Sequence, residues 1–258
     1  MLNESGLPTH QLFGVTVEAI TKSQLMNVVA SAIRAKALNC IVGNHNLHSL
    51  YLFHRNAEMR RFYQCNSHTH IDGMSLIFSG KLAGFPLHRH HRTGYLDWFD
   101  DFLRLAEEHS WRVYFLGARQ KVAEGIPEHF RATYPRLSIR THHGYDAFSP
   151  ETTVFKEIED FAPHVLLVGL GMPLQEQWIL SFRDRLNVNV ILPCGAIMDY
   201  YMGAQKPAPR WMGQIGIEWL FRLVHRPRAL FVRYLVEPVL LTAILLRNRV
   251  RGVQHAAE

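Results

Sequence analysis

The apolar tetrad Val165 to Val168 runs directly into Gly169-Leu-Gly-Met-Pro-Leu-Gln-Glu-Gln-Trp178, and this join limits the folds open to the chain. Four consecutive valines and leucines read as a strand buried on both faces. Gly169 and Gly171 let backbone approach a neighbour or ligand closely, and Pro173 can open the helix that follows. Strand, glycine turn and helix in succession is the repeating unit of a parallel sheet with crossover helices.

The same alternation runs along the chain. Leu12 to Val17 reads as a short strand, Lys22 to Ala35 as a helix through Leu25, Val28, Val29 and Ile33, and Cys40 to Val42 as a strand entering Gly43-Asn44-His45-Asn46. A helix through Leu50 and Phe53 precedes a polar loop, His70-Ile71-Asp72-Gly73, and helices follow near Ser75 to Leu82 and from Tyr95 to Glu108. Trp111 to Leu116, Leu137 to Thr141 and Asn189 to Leu192 are further strands, with helices ending near Tyr134 and Phe161 between them. The expected fold is α/β, a parallel sheet with helices on both faces. In such sheets ligands sit beyond the carboxyl ends of the strands, where the polar residues and glycines of this chain fall.

Charge separates core from tail. Between Arg210 and Arg251 stand eight arginines, no lysine and two acids, Glu218 and Glu237, a net +6 that equals the formal charge of the whole chain. The basic character therefore belongs to one polarised segment, suited to a partner carrying phosphates. Glu218, Arg222 and Arg226 share a helix face, Pro227 interrupts it, and the apolar run Val236 to Leu246 ends in Arg247, Arg249 and Arg251. That pattern suits a helix lying in a membrane interface, and equally a core or oligomer-contact helix with a solvated basic end. Nucleic-acid binding is disfavoured, because long aliphatics interleave the arginines and no recognition motif is present. The boundary is expected near residue 203, with 1–203 as core and 204–258 as appendage. No run reaches the ~18 to 20 apolar residues needed to span a bilayer, and no signal peptide is evident. Cys40, Cys65 and Cys194 are too few and scattered for a disulfide framework, and are expected as inert reduced thiols of a cytoplasmic protein.

Three strand ends carry candidate chemistry. Asn44-His45-Asn46 offers amides for sugar hydroxyls or for capping a helix. Asp72 precedes Gly73 as either a turn residue or a general base. Gly169 to Glu176 presents free amides for phosphate or sugar oxygens, and Gly117-Ala118-Arg119 is a weaker cradle of the same kind. His68-Thr-His70 with Asp72, and His88, His90 and His91 nearby, raise a metallohydrolase reading; the absence of an eight-fold barrel pattern speaks against it.

Asp72-Gly73, Arg92-Thr93-Gly94, Gly117, Gly144-Tyr145, Gly169 to Trp178, Gly195 with Asp199 and Gly203, Ala208-Pro-Arg-Trp211 and Gly216-Ile-Glu-Trp-Leu-Phe-Arg222 follow one another at suitable spacing. This ordered set resembles the WecG/TagA/CpsF glycosyltransferase family over about residues 12 to 235. The resemblance implies a Rossmann-like α/β core with a C-terminal helical, membrane-binding appendage, and a metal-independent, inverting enzyme that needs no cofactor. It would transfer a sugar from a UDP-sugar to a polyprenyl-diphosphate-linked acceptor in cell-envelope or exopolysaccharide synthesis. The enzyme would be cytoplasmic and peripheral on the inner face of the membrane. Carried over by position, Asp72 matches the general base and Asn46 the asparagine of the family's Thr-x-Asn strand end. Arg92, Gln175 and Asp199 match positions lining the nucleotide-sugar pocket. Asn44, Gly117, Gly169 and Gly171 complete the candidate donor site, and Arg222, Arg228 and Arg233 are the candidates for the acceptor diphosphate and membrane. Three positions depart from the pattern: Asn44 replaces the threonine, the aspartate expected two residues after Gly94 is displaced to Asp97, and Arg226 replaces an acid before Pro227. The donor sugar, the acceptor sugar and self-association through the tail stay open. A non-catalytic nucleotide- or lipid-diphosphate-binding module on the same fold is the alternative.

Overall fold

Eight strands form one sheet in the order β1-β2-β4-β3-β8-β7-β5-β6. They are β1 (Thr9–Leu12), β2 (Val15–Glu18), β3 (Cys40–His45), β4 (His68–Ile71), β5 (Arg112–Gly117), β6 (Ser138–His142), β7 (Val165–Gly169) and β8 (Val190–Pro193). The computed structural model describes residues 6–149 and 151–255, the last of these (249–255) by backbone alone. Arg249 and Arg251 of the basic tail therefore lie outside the described side chains.

All neighbours from β2 to β6 are parallel, and the edge pair β1–β2 is an antiparallel hairpin. The single strand expected over Leu12 to Val17 is thus two. Phe13 and Gly14 turn the chain with φ of 54° and 87°, the pair of positive values that a tight two-residue hairpin needs. The apolar central strands alternate between two cores. Val113, Phe115, Val165, Leu167, Val190 and Leu192 face one side; Tyr114, Leu116, Leu166, Val168 and Ile191 face the other.

On the first side pack α1 (Lys22–Arg34), α5 (Tyr95–Glu108), α6 (Gln120–Arg131) and α9 (Ile197–Tyr201). Trp98, Phe99 and Phe102 supply most of that interface. On the second side lie α3 (Ala57–Cys65), α7 (Val154–Phe161) and α8 (Leu174–Phe182), with Trp178 fully buried. A third cluster joins the β1–β2 hairpin to α2 (Leu47–Arg55) and α4 (Met74–Leu82). Cys40 and Cys194 are buried as expected, whereas Cys65, at the end of α3, is exposed.

The tail continues through α10 (Arg210–Ile215), α11 (Glu218–His225) and α12 (Pro227–Phe231), a π-helical turn (Val232–Val236), and α13 (Glu237–His255). Pro227 occupies the first turn of α12, where a missing N–H costs nothing. From there the helix does not break: Pro227–Asn248, 22 residues with a mean hydropathy of 1.9, is long and apolar enough to cross a membrane, and 11% of that window is buried. The expectation that no segment reaches this length is corrected. Arg233 and Glu237 interrupt the apolar run in sequence, yet the helix accommodates both.

Glycine is required where three strand ends meet. Gly117, at φ 151°, has no room for a Cβ, which would lie 2.5 Å from the Gly169 carbonyl oxygen; a Cβ on Gly169 would lie 2.8 Å from the Gly195 carbonyl oxygen. Gly117→Ala should therefore lower unfolding free energy by roughly 2 kcal/mol or more, because backbone rather than a flexible side chain must yield. Urea unfolding of the variant beside wild type measures it, and an unchanged midpoint would contradict the close approach.

Candidate functional site

In the parallel register of β3 on β4, Asn44 pairs with His70 and His45 with Ile71. Asn46 and Asp72 follow immediately, so both leave the sheet at its carboxyl edge side by side. The Asp72 N–H donates to the His45 carbonyl oxygen at 2.9 Å. Asn46 caps α2: its Oδ1 accepts the Ser49 N–H at 3.1 Å, and Ser49 Oγ accepts the Asn46 N–H at 2.8 Å. That commitment fixes the amide's orientation, and Nδ2 donates to Asp72 Oδ2 at 3.1 Å. The two readings of Asn46, helix cap and site residue, are thus one geometry.

The loop after β4 places a guanidinium beside this carboxylate. Thr93 pins the loop, donating its N–H to Ile71 O at 2.8 Å and taking the Trp98 indole N–H on its own carbonyl at 2.9 Å. Gly94 then lets three charged groups converge: a Cβ there would lie 3.0 Å from Asp72 Oδ1, and 3.2 Å from both Arg92 Nη2 and Asp97 Oδ2. Arg92 pairs with Asp97 at 3.0 Å and with Glu218 of α11 at 3.1 Å. Glu218 also pairs with Arg222, and Asp97 with Arg210 at 3.6 Å. Burial alone would push the Arg222 guanidinium down, but Glu218, then Tyr200, Tyr234 and Asp72, hold it above its ordinary value. Arg222 lies over the Tyr200 ring, 5.4 Å from its centroid. Burial raises the Asp97 carboxyl against the opposing pull of Arg92 and Arg210.

The remaining candidates lie elsewhere on the same carboxyl edge. Asn44 is buried, and its Nδ2 donates across β3 to the Pro193 carbonyl oxygen of β8 at 3.2 Å. Gln175 is buried too; its Oε1 accepts the Gly195 N–H at 3.1 Å and its Nε2 donates to Glu176 at 2.8 Å. Asp199, on α9, accepts from Gln205 Nε2 at 2.8 Å. Gly171, at φ 79°, has open space where a Cβ would stand. The geometry thus brings Asp72, Asn46, Arg92 and Arg222 together. It gives Asn44 and Gln175 main-chain partners at β8 and its exit turn. Arg228 is exposed, and Arg233 lies 5.7 Å from the centroid of its neighbour Tyr234's ring.

The histidine pattern of a metallohydrolase does not assemble. His68 Nδ1 meets Glu18 at 2.9 Å, and His70, fully buried, shares a hydrogen bond with Thr93 Oγ1 at 2.8 Å. Burial lowers the His70 imidazole to about 3, so it stays neutral. A cleft of about 940 Å³ opens on the other side of Arg92, lined by Asp97, Arg89, Arg210 and residues of α1.

The Glycosyl transferase WecG/TagA/CpsF family model matches residues 10–255. The chain belongs to this family. Two relatives are the N-acetylglucosaminyldiphosphoundecaprenol N-acetyl-beta-D-mannosaminyltransferases of Staphylococcus aureus strains MRSA252 and NCTC 8325 / PS 47. Each is 32% identical over 151 residues, which span 58% of this chain and 58% of the relative.

Several partners in this family member's site escape a reading by motif. Tyr200 links Arg222 to α9, His48 binds the Glu237 carboxylate, and Tyr63 stacks on the buried His45 ring at 3.8 Å while donating to Asn44 O at 2.8 Å. Only Glu237 leaves a trace in the sequence, as the one acid at the head of an apolar run. Glu176 is the most perturbed carboxyl near the glycine turn. Burial pushes it up to about 7 against the pull of Gln175, and its Oε2 has no hydrogen-bond partner among the described residues. Between pH 4.5 and 7 the folded chain holds this proton and the unfolded chain releases it, so the group's contribution to stability falls as pH rises through that window. Relative to Glu176→Gln, wild type should lose up to about 3 kcal/mol between pH 4.5 and pH 8. Urea titrations at both pH values test it; a difference independent of pH would show the carboxyl to be ionised throughout.

Proposed function

We propose that this chain transfers a sugar from a UDP-sugar to a sugar carried on polyprenyl diphosphate, in a single inverting displacement that needs no metal. The observation that carries the reading is the Asp72 carboxylate, held by Asn46 and flanked by Arg92 and Arg222 where core meets tail. The acceptor hydroxyl oxygen attacks the donor's anomeric carbon, the bond from that carbon to the diphosphate breaks, and UDP leaves with the electron pair. Asp72 takes the hydroxyl proton. Negative charge growing on the diphosphate is met by arginine and by main-chain N–H groups at the helix starts beyond Gly117 and Gly171. Asn46 keeps the carboxylate in place; Gln175 and Asp199 shape the donor side.

Residues 204–258 serve as the acceptor-binding appendage on a catalytic core of 1–203. Arg222 Nε and Arg233 Nε are buried donors without an acceptor among the described residues, which suits an anion-binding surface. The helix Pro227–Asn248 is read as lying on the membrane rather than through it, because Leu241 is buried in the cluster that contains α2 while Val239, Leu240 and Leu246 face outward. On this reading the enzyme works on the cytoplasmic face of the membrane, next to a lipid-linked acceptor.

The direct test incubates full-length protein with a panel of UDP-sugars and polyprenyl-diphosphate-linked acceptors in vesicles containing chelator, with mass spectrometry of the lipid. One donor should yield an extended glycolipid, and Asp72→Asn should slow its formation roughly 10²-fold or more while sparing UDP binding. Wild-type turnover in Asp72→Asn would remove the carboxylate from the chemistry. Truncation after Met202 should abolish both vesicle binding and transfer to lipid, and retention of both would remove the tail from the acceptor site.

A further inference from the structure

The end of edge strand β6 gathers ligand-type side chains that the transfer chemistry does not use. His142, His143 and Asp146 each offer an atom within 4.8 Å of the others. His143 Nδ1 lies 3.3 Å from Asp146 Oδ1, and His142 Nδ1 lies 3.6 Å from the same oxygen. Bonds of 2.0–2.1 Å at the tetrahedral angle separate two ligand atoms by roughly 3.3–3.4 Å, so both spacings suit ligands of one zinc-sized ion. Despite their proximity, His143 Nδ1 and Asp146 Oδ1 are buried atoms that make no hydrogen bond among the described residues. Two buried orphans of opposite charge preference, facing each other without bonding, are costly unless something stands between them.

The surroundings fit as well. His142 presents its other nitrogen, Nε2, to Glu157 Oε1 at 3.9 Å, the side from which a carboxylate orients a ligating imidazole. Glu157 is itself held by the Tyr114 hydroxyl at 2.7 Å. His142 Nδ1 also meets the His143 carbonyl oxygen at 2.8 Å, a contact that ligation would replace.

We propose that His142, His143 and Asp146 form a binding site for one transition-metal ion of the zinc class, with water as the fourth ligand. Two imidazoles and one carboxylate select zinc, cobalt or nickel over magnesium or calcium. The site lies five strand positions from β4, roughly 24 Å along the sheet from Asp72, so the ion is structural and takes no part in proton transfer. It clips the β6 exit loop, whose Gly144 packs under Leu170 and against Gly117; a Cβ on Gly144 would lie 2.4 Å from Leu170 Cδ2 and 3.3 Å from Gly117 Cα. The proposal stands independently of the transferase reading.

Untagged full-length protein, stripped with chelator, is titrated with Co²⁺ and with Zn²⁺, following the cobalt d–d absorption, calorimetric stoichiometry and melting temperature. One equivalent should bind with the visible band of a tetrahedral nitrogen–oxygen site, and zinc should raise the melting temperature. Asp146→Asn, close in shape and in a half-exposed position, should weaken binding at least tenfold, as should His143→Ala. The control His90→Ala, in the separate histidine group His88, His90 and His91, should bind as wild type does. Unchanged binding in Asp146→Asn and His143→Ala, loss of binding in His90→Ala alone, or no stoichiometric binding at all would each overturn the assignment.

Discussion

The register of β3 against β4 is the constraint from which the site follows. Because His45 lies opposite Ile71, the next residue on each strand is the one that leaves the sheet, and these are Asn46 and Asp72. A slip of one residue would turn Asp72 to the other face and leave the Asn46 amide without a carboxylate. The register is held from both sides of the strands. His70 reaches Thr93, Asn44 reaches Pro193 on β8, and the Tyr63 hydroxyl closes on Asn44 O. These bonds tie the buried strands to their neighbours, while His45 Nε2 and His70 Nε2 make no hydrogen bond among the described residues.

Core and tail are joined through charge around Arg92 and through apolar packing where Leu241 enters the cluster that contains α2. Glu218 takes Arg92 on one side and Arg222 on the other, while Asp97 takes Arg92 and Arg210. Arg92 is mostly buried, which makes its two carboxylates necessary: an unpaired guanidinium there would carry its full desolvation cost. The same pairing leaves the cluster close to balanced, three arginines against Asp97, Glu218 and the adjacent Asp72. A phosphate-bearing ligand entering beside Arg222 would compete with Glu218 for the same donors, so the site's affinity for anions is set by how tightly Glu218 holds them.

The sheet was legible wherever strands are apolar on both faces: Val165 to Val168, Trp111 to Leu116 and Asn189 to Leu192 each match a strand to within one residue at either end. It was illegible where buried strands carry polar residues. His70 to Gly73 reads as a loop because this polar stretch has no apolar period, yet His70 and Ile71 are the end of β4, with His68 on Glu18 and His70 Nδ1 on Thr93. β3 likewise continues through Asn44 and His45. Asp72, Asn46 and Arg92 could be singled out from motif order, and the Glu218–Arg222 spacing from helical period. The bond from Glu218 to Arg92 could not, since 126 residues separate the two and only the folded chain closes that distance. The His142–His143–Asp146 cluster escaped for a related reason: its residues sit in a turn whose geometry no periodicity encodes.

The final helix shows what one-sided packing implies. Leu241 is buried and Leu245 partly so in the cluster that contains α2, and Glu237 meets His48 at the start of α2. This fixes one face of the helix to the core along its length. The other face leaves Phe231, Val232, Leu235, Val239, Leu240 and Leu246 exposed. Such a row exceeds the scattered apolar residues that water-facing surfaces tolerate. A helix crossing a bilayer would need apolar surface all round and freedom from the core; this one carries Arg233 and Glu237, and Glu237 docks it on His48 of α2. A helix tied to a domain along one face keeps its other face for an apolar boundary, a membrane interface on the function proposed above, and on that proposal Arg222 and Arg233 stand between the boundary and Asp72.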